Sequence, residues 1–235
     1  MAYLYLVGPL TRMTWKTIYP NLYELFAASD TQHPENYFAR MDDRQRLHGA
    51  QAYRDLENGF ARLDQKSRQQ IIERAAPLVT RRDTTKGRHW TALFDTLNEI
   101  QGYIYLQDLG FSNIRFIPRT SHRTPDLHGE ASSGDALLEV KTVNVSDNDV
   151  LLLGTVQEAC YGLPEEFKRK LASDYATARD QLHSLSVREP TRRICYFFIT
   201  IDFQLALARS NQQALNDFFA SIEQDCEIYH HSEYW

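Results

Sequence analysis

One stretch limits the possible folds of this chain more than any other: Thr124-Pro-Asp-Leu-His-Gly-Glu-Ala-Ser-Ser-Gly-Asp-Ala-Leu-Leu-Glu-Val-Lys-Thr-Val. It predicts two β-segments, Thr124–Leu127 and Ala136–Val145, joined by a run of turn formers able to close a hairpin. Side chains alternate along a strand, so Glu139 and Lys141, two apart, leave the same face of the sheet. Closing the hairpin carries the Asp126 carboxylate to the side of Glu139. Two carboxylates and an ammonium are costly on a strand that is otherwise Ala136, Leu137, Leu138, Val140 and Val143, unless something there uses their charge. Carboxylate oxygens are the ligands that Mg²⁺ or Mn²⁺ prefers. The alternative reading is a surface ion pair between Glu139 and Lys141, with Asp126 a turn-initiating aspartate after proline.

The neighbouring periodicities place this hairpin in a larger plan. Apolar spacing predicts a helix from Trp90 to about Leu109, stopped by Gly110. A strand over Asn113–Pro118 follows, then the hairpin, a helix over Glu165–Leu185, a strongly apolar strand over Arg193–Phe203, and a helix from about Ser210 to Gln224. Helix, three strands, helix, strand is an α/β layer plan with helices covering a mixed sheet. Upstream, breaks near Pro20, Pro34 and Pro77 separate candidate helices at Trp15–Ala28, Glu35–Arg62 and Lys66–Ala76. The expected organisation is a mainly helical N-terminal region, 1–87, followed by an α/β core, 88–235.

The pattern Pro125-Asp126, twelve residues, Glu139-Val140-Lys141 resembles the PD-(D/E)xK, restriction-endonuclease-like nucleases. Glu99, Gly102, Tyr105-Leu106 and Gly110-Phe111 also resemble that family's first core helix, with glycine in place of a small alanine. The resemblance covers roughly Trp90 to Phe203. It implies an α/β, restriction-endonuclease-like fold and a metal-dependent phosphodiesterase. In that reading Asp126, Glu139 and the backbone carbonyl of Val140 bind Mg²⁺ (or Mn²⁺). Lys141 is the catalytic lysine, and Glu99 supports a second metal or its waters.

Charge and composition set the remaining expectations. The net charge of −5 weakly opposes a polyanionic partner, but Lys66–Trp90 carries seven Lys/Arg against two acids, and a local field is what a nucleic acid meets. Arg81, Arg82, Lys86 and Arg88 in that run, with Arg119, His122 and Arg123 ahead of Asp126, are the candidate nucleic-acid contacts, DNA favoured over RNA. A homodimer is expected if both strands of a duplex are cut. The alternatives are an RNA- or tRNA-cleaving toxin-like nuclease and a non-catalytic binding module. Cys160, Cys195 and Cys226 show no CxxC or Cys/His ligand spacing, so a structural zinc site is not expected. No membrane span or signal peptide is read, which makes a cytoplasmic location the default. His230-His231 with Glu233 is read as a frayed, polar C-terminal tail rather than a ligand cluster.

Overall fold

The computed structural model describes residues 14–42, 51–84, 89–118, 123–144, 163, 165–185, 191–201, 209–222 and 225–234. The expected boundary at residue 87/88, and with it Lys86 and Arg88, lies outside these residues, as do Arg119 and His122. The helical N-terminal region comprises α1 (Trp15–Ile18), α2 (Pro20–Ala28), α3 (Gln51–Arg62) and α4 (Gln65–Ala75), with short 3₁₀ turns at Tyr37–Arg40 and Ala76–Leu78. Helix α5 (Thr91–Asp108) leads into β1 (Ser112–Phe116), β2 (Leu127–Ala131) and β3 (Gly134–Asn144). Helix α6 (Glu165–Ser184), β4 (Thr191–Ile201), α7 (Arg209–Ser221) and β5 (Glu227–Tyr234) complete the chain.

The five strands form one sheet in the order β1-β2-β3-β4-β5. The first three make an antiparallel meander, while β4 runs parallel to β3 and β5 parallel to β4. Parallel neighbours need a long crossover, and the segments carrying α6 and α7 supply the two. The fold is therefore α/β, a mixed sheet with a helical N-terminal region.

Alternation along β3 and β4 divides the interior in two. Leu138, Val140, Ile194, Tyr196 and Phe198 join the core built with α5 and the N-terminal helices. Leu137, Val143, Cys195, Phe197 and Ile199 join the core under α6 and α7. Both faces of these strands are covered, which is why they read as nearly continuous apolar runs.

Two predicted boundaries move. The second strand spans Leu127–Ala131, not Thr124–Leu127: residues 128–131, read as turn formers, pair with 134–137 of β3, and Ser132-Ser133 alone make the turn. Gly134, at φ 132°, adopts the backbone conformation that closes it. The C-terminal tail is corrected too. His230, His231 and Glu233 lie in β5, in register with Phe197, Phe198 and Thr200 of β4, because an apolar neighbour with open backbone groups makes pairing more favourable than fraying.

Helix α5 ends as predicted. Gly110, at φ 86°, follows its last turn, its N–H donates to the Gln107 carbonyl, and the Phe111 N–H donates to the Leu106 carbonyl. These are the two bonds of a Schellman motif. About two turns earlier in the helix, Gly102 lets it settle onto the sheet: a Cβ there would stand 2.7 Å from Val140 Cγ2 and 2.8 Å from Leu138 Cδ2. Gly102→Leu is expected to lower stability by roughly 1–3 kcal/mol through overpacking, measured as a shift of the denaturant midpoint at unchanged slope.

Candidate metal centre

Three backbone and side-chain bonds fix Asp126 just ahead of β2. Its N–H donates to the Leu138 carbonyl at 3.1 Å, and its own carbonyl accepts from Ile117 at 2.8 Å. Its carboxylate Oδ2 accepts from the Val140 N–H at 2.9 Å. The residue is thus tied to β3 and to the end of β1 at once. The last β2–β3 pair on this side is Leu127 with Leu138, so beyond it the Asp126 side chain takes the place of a partner strand. The N–H and C=O of one strand residue leave on the same side. The Val140 carbonyl therefore points toward Asp126.

Glu139 and Lys141 share the α6 face of β3. Glu139 is buried at 3% exposure, and its Oε1 accepts from Lys141 Nζ at 2.6 Å. Its other oxygen, Oε2, is buried without a hydrogen-bond donor, with the Asp126 carboxylate acting on it as a like charge. Two acceptor oxygens facing each other need a proton or a cation between them. Burial first, and the Asp126 charge second, push the Glu139 carboxyl up to about 8, against the pull of Lys141. A divalent cation would remove that penalty, since it compensates both carboxylates. The donor set, two carboxylates and one backbone carbonyl, is that of a hard cation such as Mg²⁺ or Mn²⁺.

A residue that sequence reasoning missed completes the arrangement. Gln181, on the last turn of α6, accepts from Lys141 Nζ through Oε1 at 2.7 Å and donates from Nε2 to the Thr124 carbonyl at 3.2 Å. An ammonium needs an acceptor and a carbonyl a donor, so the two partners fix which way the amide points. Ser184 adds a bond from its hydroxyl to the Arg123 carbonyl at 2.8 Å. The end of α6 thereby clips the segment before Asp126 to the lysine of β3. Two helical turns back, Asp174 contributes a further carboxyl, raised by burial despite the pull of Lys170 and Lys141. Neither Gln181 nor Asp174 had a signal in sequence, because each acts on β3 from 33 or more residues away in the chain.

The remaining candidates are placed as follows. Glu99 is buried on α5 and paired with Arg74 of α4, whose guanidinium also lies over the Phe116 ring. This pair brings Glu99 a cation from the N-terminal region. Beside it, Asn98 donates to Thr142 Oγ1 at 3.1 Å, which ties the middle of α5 to β3 just past Lys141. Arg81 is exposed. Arg82 pairs with Glu35 at 3.5 Å and lies over Trp90. The Arg123 side chain is exposed next to the clipped segment. Lys168 and Arg169 pair with Glu165 and Glu166 one turn away.

No family model matches the chain, and no curated protein sequence matches it. Among solved structures, SfsA of Pyrococcus furiosus in complex with Ca²⁺ is similar, at 14% identity over 61% of this chain and 56% of that one. The chain thus spans just over half of that protein's length. The TM-score is 0.24, too low to carry any inference about the fold or chemistry of this chain.

Proposed function

We propose that this chain is a Mg²⁺- or Mn²⁺-dependent nuclease that hydrolyses phosphodiester bonds, with DNA as the favoured polymer. The observation that carries this reading is the buried Glu139 carboxylate, its Oε2 without a donor beside Asp126 and its Oε1 held by an anchored lysine. Asp126, Glu139 and the Val140 carbonyl would hold the metal, which polarises a phosphodiester and makes a bound water a better nucleophile. Lys141 keeps its ammonium at the edge of the carboxylate pair, where it can orient the attacking water or offset charge developing on the phosphate. Gln181 holds Lys141 on the side away from Glu139 and so sets its direction. The exposed Arg81 and Arg123 supply local positive charge for a phosphate backbone despite the chain's net acidity.

The test is cleavage of supercoiled plasmid, single-stranded DNA and tRNA with Mn²⁺, Mg²⁺ or EDTA, run beside Lys141→Ala. Metal-dependent cutting that disappears in the variant supports the nuclease, and the polymer cut selects between DNA and RNA. A folded protein silent on all three substrates would overturn it in favour of a binding module. Gln181→Ala is expected to lower the cleavage rate roughly 10–100-fold, the usual cost of removing a supporting hydrogen bond, while Mn²⁺ affinity measured by calorimetry changes little.

A further inference from the structure

The end of α6 meets the start of β5 at a second cluster of ligating atoms, distinct in its residues from the carboxylate pair. His183, Asp225 and Cys226 each direct one ligand atom to a common point, all within 4.8 Å of one another. His183 Nε2 lies 3.4 Å from Asp225 Oδ2 and 3.8 Å from Cys226 Sγ. Bond lengths of about 2.0–2.3 Å put the ligands of a tetrahedral zinc roughly 3.3–3.7 Å apart, a range that the two His183 distances match to about 0.1 Å.

The outer partners of the ligands are also in place. Tyr175 donates its hydroxyl to Asp225 Oδ1 at 3.1 Å, leaving Oδ2 toward His183. The Cys195 thiol, fully buried on β4, neighbours the Cys226 sulfur. Metal ligands are commonly oriented by such second partners. A thiolate and a carboxylate also balance the charge of a divalent ion.

We propose that His183, Asp225 and Cys226 form a zinc site that joins the end of α6 to the start of β5. His183 is two residues from Gln181 and projects from the opposite side of the helix. Occupancy would therefore fix the helix turn that positions Lys141. Linear spacing hides the site, because His183 lies more than 40 residues from the adjacent Asp225 and Cys226 and meets them through the parallel β4–β5 pairing. The inference stands independently of the nuclease reading.

The experiment is titration of the chelator-treated full-length protein with Co²⁺, a spectroscopic stand-in for zinc. One equivalent is expected to produce a thiolate-to-cobalt charge-transfer band that Zn²⁺ then displaces. The band should be lost in Cys226→Ser and in His183→Ala and kept in Glu139→Gln, which separates this site from the carboxylate pair. His183 is half exposed, so its variant tests the site even if the buried Cys226→Ser fails to fold. A folded wild-type protein without the band, or a band that survives His183→Ala, would overturn the proposal.

Discussion

Glu139→Gln is expected to abolish metal-dependent cleavage, by at least ~10³-fold, while leaving the protein as stable as the parent or more so. Glutamine has the shape of glutamate and can still accept from Lys141 Nζ through its amide oxygen. What it lacks is the negative charge that a divalent ion requires. In the metal-free protein that charge is a burden, since it is buried, faces Asp126 and has one oxygen without a donor. Groups arranged for function against stability behave in this way. Calorimetry with Mn²⁺ should show binding in the parent and none in the variant, and thermal melts in EDTA should show an equal or higher Tm. If Glu139→Gln melts earlier in EDTA and still cuts, Glu139 is half of a structural ion pair and the metal centre is wrong.

The second large effect is a pH dependence that metal reverses. Glu139 has its carboxyl raised from about 4.5 to about 8 in the folded chain. A raised carboxyl means that the folded state holds a proton the unfolded chain has released. The corresponding stability is fully present below the unfolded value and is lost as pH rises through the folded one. In EDTA, then, stability should fall between pH 5 and 8 by on the order of 2 kcal/mol, roughly 4–8 °C in Tm for a chain of this length. Saturating Mn²⁺ should flatten that slope, because the cation replaces the proton between the two carboxylates. Metal binding at pH 7 should also release protons, visible as a binding enthalpy that depends on the buffer. A metal-free Tm independent of pH over this range, or one equally steep in Glu139→Gln, would show that some other group titrates.

Much of the architecture could be read directly from residue order. Apolar composition marked β3 and β4 as strands, and the order of helices and strands marked a mixed sheet covered by helices. Gly110 marked the end of α5 through the backbone conformation that only glycine adopts cheaply. The spacing of Asp126, Glu139 and Lys141 is a local property, because two-residue periodicity on one strand and a short hairpin suffice to gather them. Even there the tightness of the turn was misread: residues 128–131 look like turn formers, yet the ladder to β3 extends through them and leaves two residues for the turn.

Only the folded chain could supply the rest. β5 is polar and carries no strand signal of its own; it forms because β4 presents open backbone groups beside it. The cation that Glu99 meets, Arg74, comes from a helix 25 residues earlier, and sequence has no means of ranking it above the other basic residues of that run. Gln181 joins Lys141 to Thr124 across 40 and 57 residues. His183 converges with Asp225 and Cys226 although a strand and a helix separate them in sequence. The sequence by itself determined which residues must share a strand face, since that follows from backbone geometry alone. The tertiary structure decided which distant side chain completes each group's hydrogen bonding and charge, since that depends on how helices and strands remote in the chain come to pack together.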